Sequence, residues 1–167
     1  EQRIVTMTKE QSEIYNNARK MILDDVTFNR DSEFDLFKLF LILQQITCGY
    51  YNSRFTSPES EELVRFLKPE QNPKIIELLN VLDLLKGKQV VIFGKFRQEL
   101  QDIILALRAK YGDDKVSAFY GDISQKERDI SLYNFIMGRS QFFVTNAATG
   151  GFGLNGLEVA SYCVYMS

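Results

Sequence analysis

The chain has 167 residues, 45% of them hydrophobic and 25% charged, which is typical of one globular domain or of a domain with a helical appendage. Its 20 basic and 22 acidic residues give a net charge of -2, so any nucleic-acid contact must be local. The lack of histidine excludes Ser-His-Asp and Cys-His catalysis and the common zinc frameworks. The longest apolar run has 5 residues, far short of the ~20 that a membrane span needs, so no membrane partner is expected.

The first half of the chain is predicted to be helical. Apolar residues recur at helical spacing over residues 9–25, and a more apolar helix is predicted over 31–48. A serine–proline pair, the pattern of a helix start, predicts a short acidic helix over 57–67. An asparagine–proline pair at 72–73 repeats the pattern and opens a further helix. We therefore expect a helical segment over 1–71 that leads into a second domain over 72–167.

The second half alternates between strands and helices. Short apolar runs at 89–93, 115–120, 141–145 and 161–166 have the composition of buried strands, and helical patterns separate the first three. Before the second of these helices, Ser124 and Glu127 have the spacing of a capping box. Because strand–helix–strand connections are right-handed, this order predicts an α/β domain with a mostly parallel central sheet.

Ligands bind at the carboxyl ends of the strands in such sheets, and the most unusual segment there is the glycine-rich loop from Thr149 to Gly156. Glycine, threonine and asparagine supply backbone and neutral side-chain donors for phosphate or sugar, although an ordinary flexible loop has the same composition. A dinucleotide fingerprint is rejected, because no helix and acidic residue follow the glycines. The Walker A pattern is absent from the sequence, so the chain alone cannot carry out metal-assisted phosphoryl transfer.

Several motifs occur in an order that resembles the second RecA-like lobe of superfamily-two helicases, in the branch of SWI/SNF-type DNA translocases. The resemblance covers nearly the whole chain. The motifs that carry it are Met7–Tyr15, Leu41–Cys48, Asn72–Leu79, Gln89–Phe93 with Gly94–Phe96, Tyr120–Ser124 with Glu127, Arg128 and Phe135, and Gly150–Asn155. It implies a RecA-like three-layer domain preceded by an N-terminal helical segment. The sixth motif of the family would follow Ser167, so the chain is expected to be a piece of a longer protein.

The resemblance implies an ATP-driven motor that moves duplex DNA through a cleft between two lobes. ATP and Mg2+ would be bound mainly by an N-terminal RecA-like lobe of the same protein, and this fragment alone, with no catalytic residue or metal ligand, would be inactive. A phage or microbial protein is expected, acting in the cytoplasm, or in the nucleus if eukaryotic. The residues implied for the nucleotide are Gly151, Gly153 and Asn155, and those implied for DNA are Gly121, Ser124, Thr145, Asn146 and Thr149. Lys95 and Arg128 are added as cations near the same strand ends that a DNA phosphate could reach, although Lys95 could equally be a solubilising charge.

Some of these interpretations have alternatives. Arg128 could be a solvated arginine paired with Glu127 or Asp122 rather than a phosphate ligand. The family has leucine where Gly156 stands, which predicts a looser loop here. The chain could also be the motor lobe of another superfamily-two protein, such as an RNA helicase, or a non-catalytic interaction domain on a parallel α/β scaffold.

Overall fold

The computed structural model describes residues 1–28, 33–53, 62–150 and 154–166. The chain forms two compact units, Glu1–Glu77 and Leu78–Ser167, each with its own core. The predicted domain boundary between residues 71 and 72 stays a prediction.

The first unit is built on two helices and a small hairpin. Its core consists of Ala18, Leu43 and Ile46, with partly buried residues packed around them. The elements are α1 (Lys9–Phe28), α2 (Glu33–Thr47), β1 (Tyr50–Asn52), β2 (Leu63–Arg65), a 3-10 turn (Pro69–Gln71) and the start of α3 (Pro73–Leu84). The predicted helices over 9–25 and 31–48 and the helix after the asparagine–proline pair are therefore present.

A buried glutamine joins the two helices of this unit. Gln11 accepts a hydrogen bond from the amide of Thr8 at 2.9 Å, and its own amide donates to the Thr8 hydroxyl at 3.1 Å. Its side-chain nitrogen also donates to the carbonyl of Thr47 at 3.1 Å. The side chain thus satisfies backbone groups at the start of α1 and at the end of α2, which would otherwise lack partners.

The helix predicted over 57–67 is wrong where the structure describes it. Leu63–Arg65 forms strand β2, antiparallel to β1, with Val64 opposite Tyr51. The predicted start at 57–58 lies outside the described residues. Cross-strand hydrogen bonds with a distant segment satisfy the backbone here, and such tertiary pairing overrides a weak local helix preference.

The second unit is a parallel sheet covered by helices, as predicted. Its strands run in the order β4-β5-β3-β6, and every neighbouring pair is parallel. The elements are β3 (Val90–Gly94), α4 (Arg97–Tyr111), β4 (Val116–Phe119), α5 (Gln125–Ile136), β5 (Phe142–Asn146), α6 (Ala147–Gly150) and β6 (Tyr162–Tyr165), with 3-10 turns at Asp113–Lys115 and Leu157–Val159.

Both faces of β3, β4 and β5 are largely buried, whereas β6 at the end of the strand order is mostly exposed. Alternate residues of the strands pack against α3 and α4 on one face, whereas Val91, Phe119 and Phe143 pack against Phe135 of α5 on the other. The first four residues of the central strand β5 are all buried. Two covered faces explain why β3, β4 and β5 are continuous apolar runs, and the parallel pairing places their carboxyl ends along one edge.

Candidate nucleic-acid interface

Three loops meet at the carboxyl edge of the sheet. β5 lies between β4 and β3, and Gly94 at the end of β3 is opposite Asn146 at the end of β5. Phe119, the last residue of β4, is opposite Thr145. The turns that follow these strands therefore share one edge. This arrangement brings together Lys95, Gly121, Ser124, Asn146 and Thr149, all of which were predicted to contact DNA.

The loop after β3 is held by a carboxylate that the sequence analysis missed. Oε2 of Glu99 accepts hydrogen bonds from the amides of Lys95, at 2.8 Å, and Phe96, at 3.4 Å. Glu99 is buried, while the Lys95 side chain is exposed and its Nζ lies 5.6 Å from the centroid of the Phe96 ring. The glutamate at the third position of α4 was the available signal, since that residue type often reaches back to the chain before a helix.

In the turn after β4, the predicted capping box is present. The amide of Glu127 donates to the Ser124 hydroxyl at 3.3 Å, and the amide of Ser124 donates to Oε2 of Glu127 at 3.2 Å. The Ser124 hydroxyl itself donates to the same carboxylate oxygen at 2.7 Å. Its proton is thus engaged within the turn. The hydroxyl is exposed at the edge as predicted, but in this arrangement it stabilises α5 rather than offering a free donor to phosphate.

We expect Ser124→Ala to lower the free energy of unfolding by about 1 kcal/mol, because α5 loses its N-cap. Hydrogen bonds from the Ser124 side chain and then its amide lower the pKa of Glu127 below its ordinary value of 4.5. The stability from this contact is therefore complete above pH 4.5 and is lost as the pH falls through the lowered pKa. Urea unfolding of the wild-type protein and of Ser124→Ala at neutral and acidic pH measures this loss. The difference between their free energies of unfolding should be smaller in acid. Ser131→Ala, within the same helix, is the matched control, and equal losses from both variants would contradict the capping role.

Arg128 lies on α5 behind this turn. Its guanidinium carbon is 5.7 Å from the centroid of the Phe119 ring, and its buried Nε has no hydrogen-bond partner in the described part of the chain. Neither alternative carboxylate forms a salt bridge with it there, because Asp122 pairs with Arg97 and Glu127 bonds to Ser124. The guanidinium is thus within cation–π range of the Phe119 ring. Contact with a DNA phosphate stays a prediction.

The chain after β5 differs from the predicted loop. Ala147–Gly150 forms a short helix, and the side-chain oxygen of Asn146 accepts a hydrogen bond from the amide of Thr149 at 2.9 Å. Thr145 is fully buried, and its hydroxyl donates to the carbonyl of Asn146 at 3.3 Å. A buried hydroxyl does not reach a phosphate, so the Thr145 side chain is not at the surface as the DNA prediction requires. Asn146 and Thr149 are partly exposed at the edge.

The residues predicted for the nucleotide are only partly described. Gly151 and Gly153 lie outside the described residues, and Asn155 is exposed in the turn that follows them. Gly156 has φ of 106°, and an added Cβ would lie 2.3 Å from Cδ1 of Ile136. The expectation that this glycine loosens the loop stays a prediction. The left-handed backbone at Gly156 favours glycine there.

Residues 1–28, 33–53, 62–150 and 154–166 contain neither a candidate membrane span nor a candidate metal cluster. None of the helices described is both long and apolar enough to cross a membrane. Within the same ranges, no group of three or more acidic, cysteine or histidine side chains is arranged to hold a metal ion.

A match to one protein-family model identifies the family of this chain. The sequence matches the model of the helicase conserved C-terminal domain over residues 71–163, which is more than half of the chain. The chain belongs to this family. A comparison with curated protein sequences found no significant match.

Solved structures of helicase C-terminal domains have the same fold. The C-terminal domain of the Sulfolobus solfataricus SWI2/SNF2 ATPase matches with a TM-score of 0.74 and 20% identity, over 98% of this chain and 69% of that one. The ATPase core from the same organism in complex with dsDNA matches with the same score and identity, over 98% of this chain and 33% of that one. S. cerevisiae Dbp5 bound to RNA and ADP BeF3 matches less well, with a TM-score of 0.50 and 21% identity over 60% of this chain.

These likenesses confirm the predicted fold. The helicase C-terminal domain described here has the fold of the SWI2/SNF2 ATPase C-terminal domain, with a parallel sheet and preceding helices. It spans about a third of the length of the ATPase core that it matches.

Proposed function

We propose that this helicase lobe is the second motor lobe of an ATP-dependent translocase that acts on duplex DNA. The observation that carries the proposal is the strand order β4-β5-β3, which gathers Lys95, Gly121 and Asn146 at one exposed edge of a SWI/SNF-type lobe. The related ATPase core from S. solfataricus was solved with dsDNA, which favours the same partner here.

The chemistry of the edge suits phosphate contacts that do not read sequence. A lysine and backbone amides bind phosphate oxygens whatever the base, and such contacts position a protein on a duplex without specifying a site. Lys95 extends from a loop whose amides Glu99 already fixes, so its ammonium group can shift toward a phosphate without rearranging the backbone. A motor that moves along DNA needs a grip of this kind, because it must bind every sequence equally.

The nucleotide is proposed to lie where this lobe meets an N-terminal RecA-like lobe of the same protein. Bound ATP with Mg2+ would supply the free energy for closure of the two lobes. We assign Mg2+ mainly to the N-terminal lobe, as the family resemblance implies. On this side Asn155 is exposed to contact the nucleotide, and Gly151 and Gly153 remain proposed contacts. We place the protein in the cytoplasm of a microbial or phage-infected cell, or in the nucleus of a eukaryote.

We expect the full-length protein to bind duplexes of unrelated sequence with equal affinity. Lys95→Gln should weaken binding to all of them and lower the slope of log K against log salt by about 0.9, as expected for one lost phosphate contact. Fluorescence anisotropy with labelled duplexes over a range of salt concentrations measures both quantities.

The matched control is Lys88→Gln, an exposed lysine before β3 at the opposite edge of the sheet. It should leave the affinity unchanged. Equal effects of the two substitutions, or tighter binding to duplex RNA than to duplex DNA, would contradict the proposed interface.

A further inference from the structure

One ion pair joins two of the three loops at the carboxyl edge. Arg97, the first residue of α4, pairs through its Nε with the carboxylate of Asp122 in the turn after β4. The two residues follow β3 and β4, which are not neighbours, because β5 lies between them. The pair therefore reaches across the carboxyl end of β5, a span of about two strand spacings or ~9.6 Å.

This position places the pair beside the residues proposed for DNA. Asn146 ends β5, the strand between β3 and β4, while Lys95 precedes Arg97 by two residues and Gly121 adjoins Asp122. The same pair puts one cation and one anion at an edge that is proposed to receive phosphates. The anion is unfavourable there, since a carboxylate repels a phosphate and occupies a guanidinium that could bind one.

The pair is exposed enough to exchange partners. The side chain of Arg97 is 70% exposed and that of Asp122 is 41% exposed. Ion pairs in such surroundings contribute about 0.2–1 kcal/mol, because water screens the attraction and two side chains lose freedom. A phosphate offers arginine a charge-assisted, bidentate contact of at least comparable strength. Exchange of the carboxylate for a phosphate is thus feasible without unfolding any element.

We propose that Arg97 is a phosphate-binding residue held by Asp122 when DNA is absent, and that a DNA phosphate displaces the carboxylate. The proposal rests on the proposed function and adds a regulated contact to the same edge. In the free protein the pair ties the loop after β3 to the turn after β4. In the bound protein Arg97 contacts the DNA backbone, and Asp122 turns to solvent. The carboxylate thereby weakens DNA binding, which favours release between steps of a motor.

The test is a double-mutant cycle for duplex DNA binding by the full-length protein. Arg97→Gln should weaken binding about three- to tenfold and lower the salt slope by about 0.9. Asp122→Asn should tighten binding about two- to fivefold, because the competitor for Arg97 is lost. In the Arg97→Gln background, Asp122→Asn should have no effect, since no guanidinium remains to be released.

A second pair on α4 supplies matched controls for net charge. Arg108, in the last turn of the helix, pairs with Asp113 at 3.8 Å, at the opposite end from Arg97. Arg108→Gln and Asp113→Asn should leave DNA affinity unchanged. Circular dichroism and thermal unfolding confirm that each variant is folded.

The outcomes separate this proposal from the one on which it rests. If the wild-type protein binds no duplex DNA, the proposed function fails. If it binds and Asp122→Asn tightens binding equally with and without Arg97, the effect is simple repulsion and the displacement mechanism is overturned. An Arg97→Gln variant that matches Arg108→Gln in affinity and salt slope would also overturn it.

Discussion

Gly94→Ala is expected to lower the free energy of unfolding by about 1–3 kcal/mol, the usual cost of overpacking a filled core. A Cβ at this position would lie 2.8 Å from Cδ2 of Leu100 and 3.3 Å from Oε2 of Glu99. Leu100 is fully buried, so its side chain cannot move away freely. The substitution forces the end of β3 and the start of α4 apart, and denaturant unfolding followed by circular dichroism measures the loss.

Gly121→Ala is the matched control for stability, because it lies at the same edge of the sheet. Nothing lies within 4 Å of an added Cβ at Gly121, and its φ is outside the left-handed region. Its effect should stay within about 0.5 kcal/mol, as for most surface substitutions. If Gly94→Ala and Gly121→Ala lower the free energy of unfolding equally, the close approach of Gly94 to α4 does not limit the residue at this position.

The sheet could be predicted because its signals are local. Four apolar runs of strand length, most of them bounded by glycine or polar residues, are sufficient to predict buried parallel strands. The start of α5 was equally readable, since the capping box of Ser124 and Glu127 lies within four consecutive residues. Once the strands are parallel, their carboxyl ends must share an edge, so the grouping of Lys95, Gly121 and Asn146 followed from topology alone.

The features that could not be predicted from the sequence depend on contacts between residues that are distant in sequence. Leu63–Arg65 is a strand only because β1 lies beside it. Thr145 is buried because β5 is the central strand between β3 and β4, and a sequence pattern does not show strand order. A Cβ at Gly156 would meet the side chain of Ile136, twenty residues earlier. The link between Arg97 and Asp122 likewise requires two loops that meet only in the folded sheet.

The largest functional effect is expected in ATP hydrolysis. The full-length protein should hydrolyse ATP in the presence of Mg2+, and duplex DNA should raise the rate about tenfold or more, which corresponds to ~1.4 kcal/mol of transition-state free energy. The physical reason is that DNA held at the edge of this lobe favours the closed arrangement in which both lobes contact the nucleotide. Asn155→Ala should reduce the DNA-stimulated rate, because Asn155 is proposed to contact the nucleotide from this lobe.

The 167-residue chain alone should hydrolyse no ATP, since no residue described in it is proposed to bind Mg2+ or attack the phosphate. This control shows that any rate measured with the full-length protein requires the N-terminal lobe. A rate in the isolated chain equal to that of the full-length protein would contradict the division of the site between two lobes.

The most direct measurement is the steady-state ATPase rate of the full-length protein with no nucleic acid, with duplex DNA and with duplex RNA, at one salt concentration. A DNA-driven motor predicts a low basal rate, strong stimulation by duplex DNA and little by duplex RNA. The absence of ATP hydrolysis under all three conditions, or a rate that duplex DNA does not change, would contradict it.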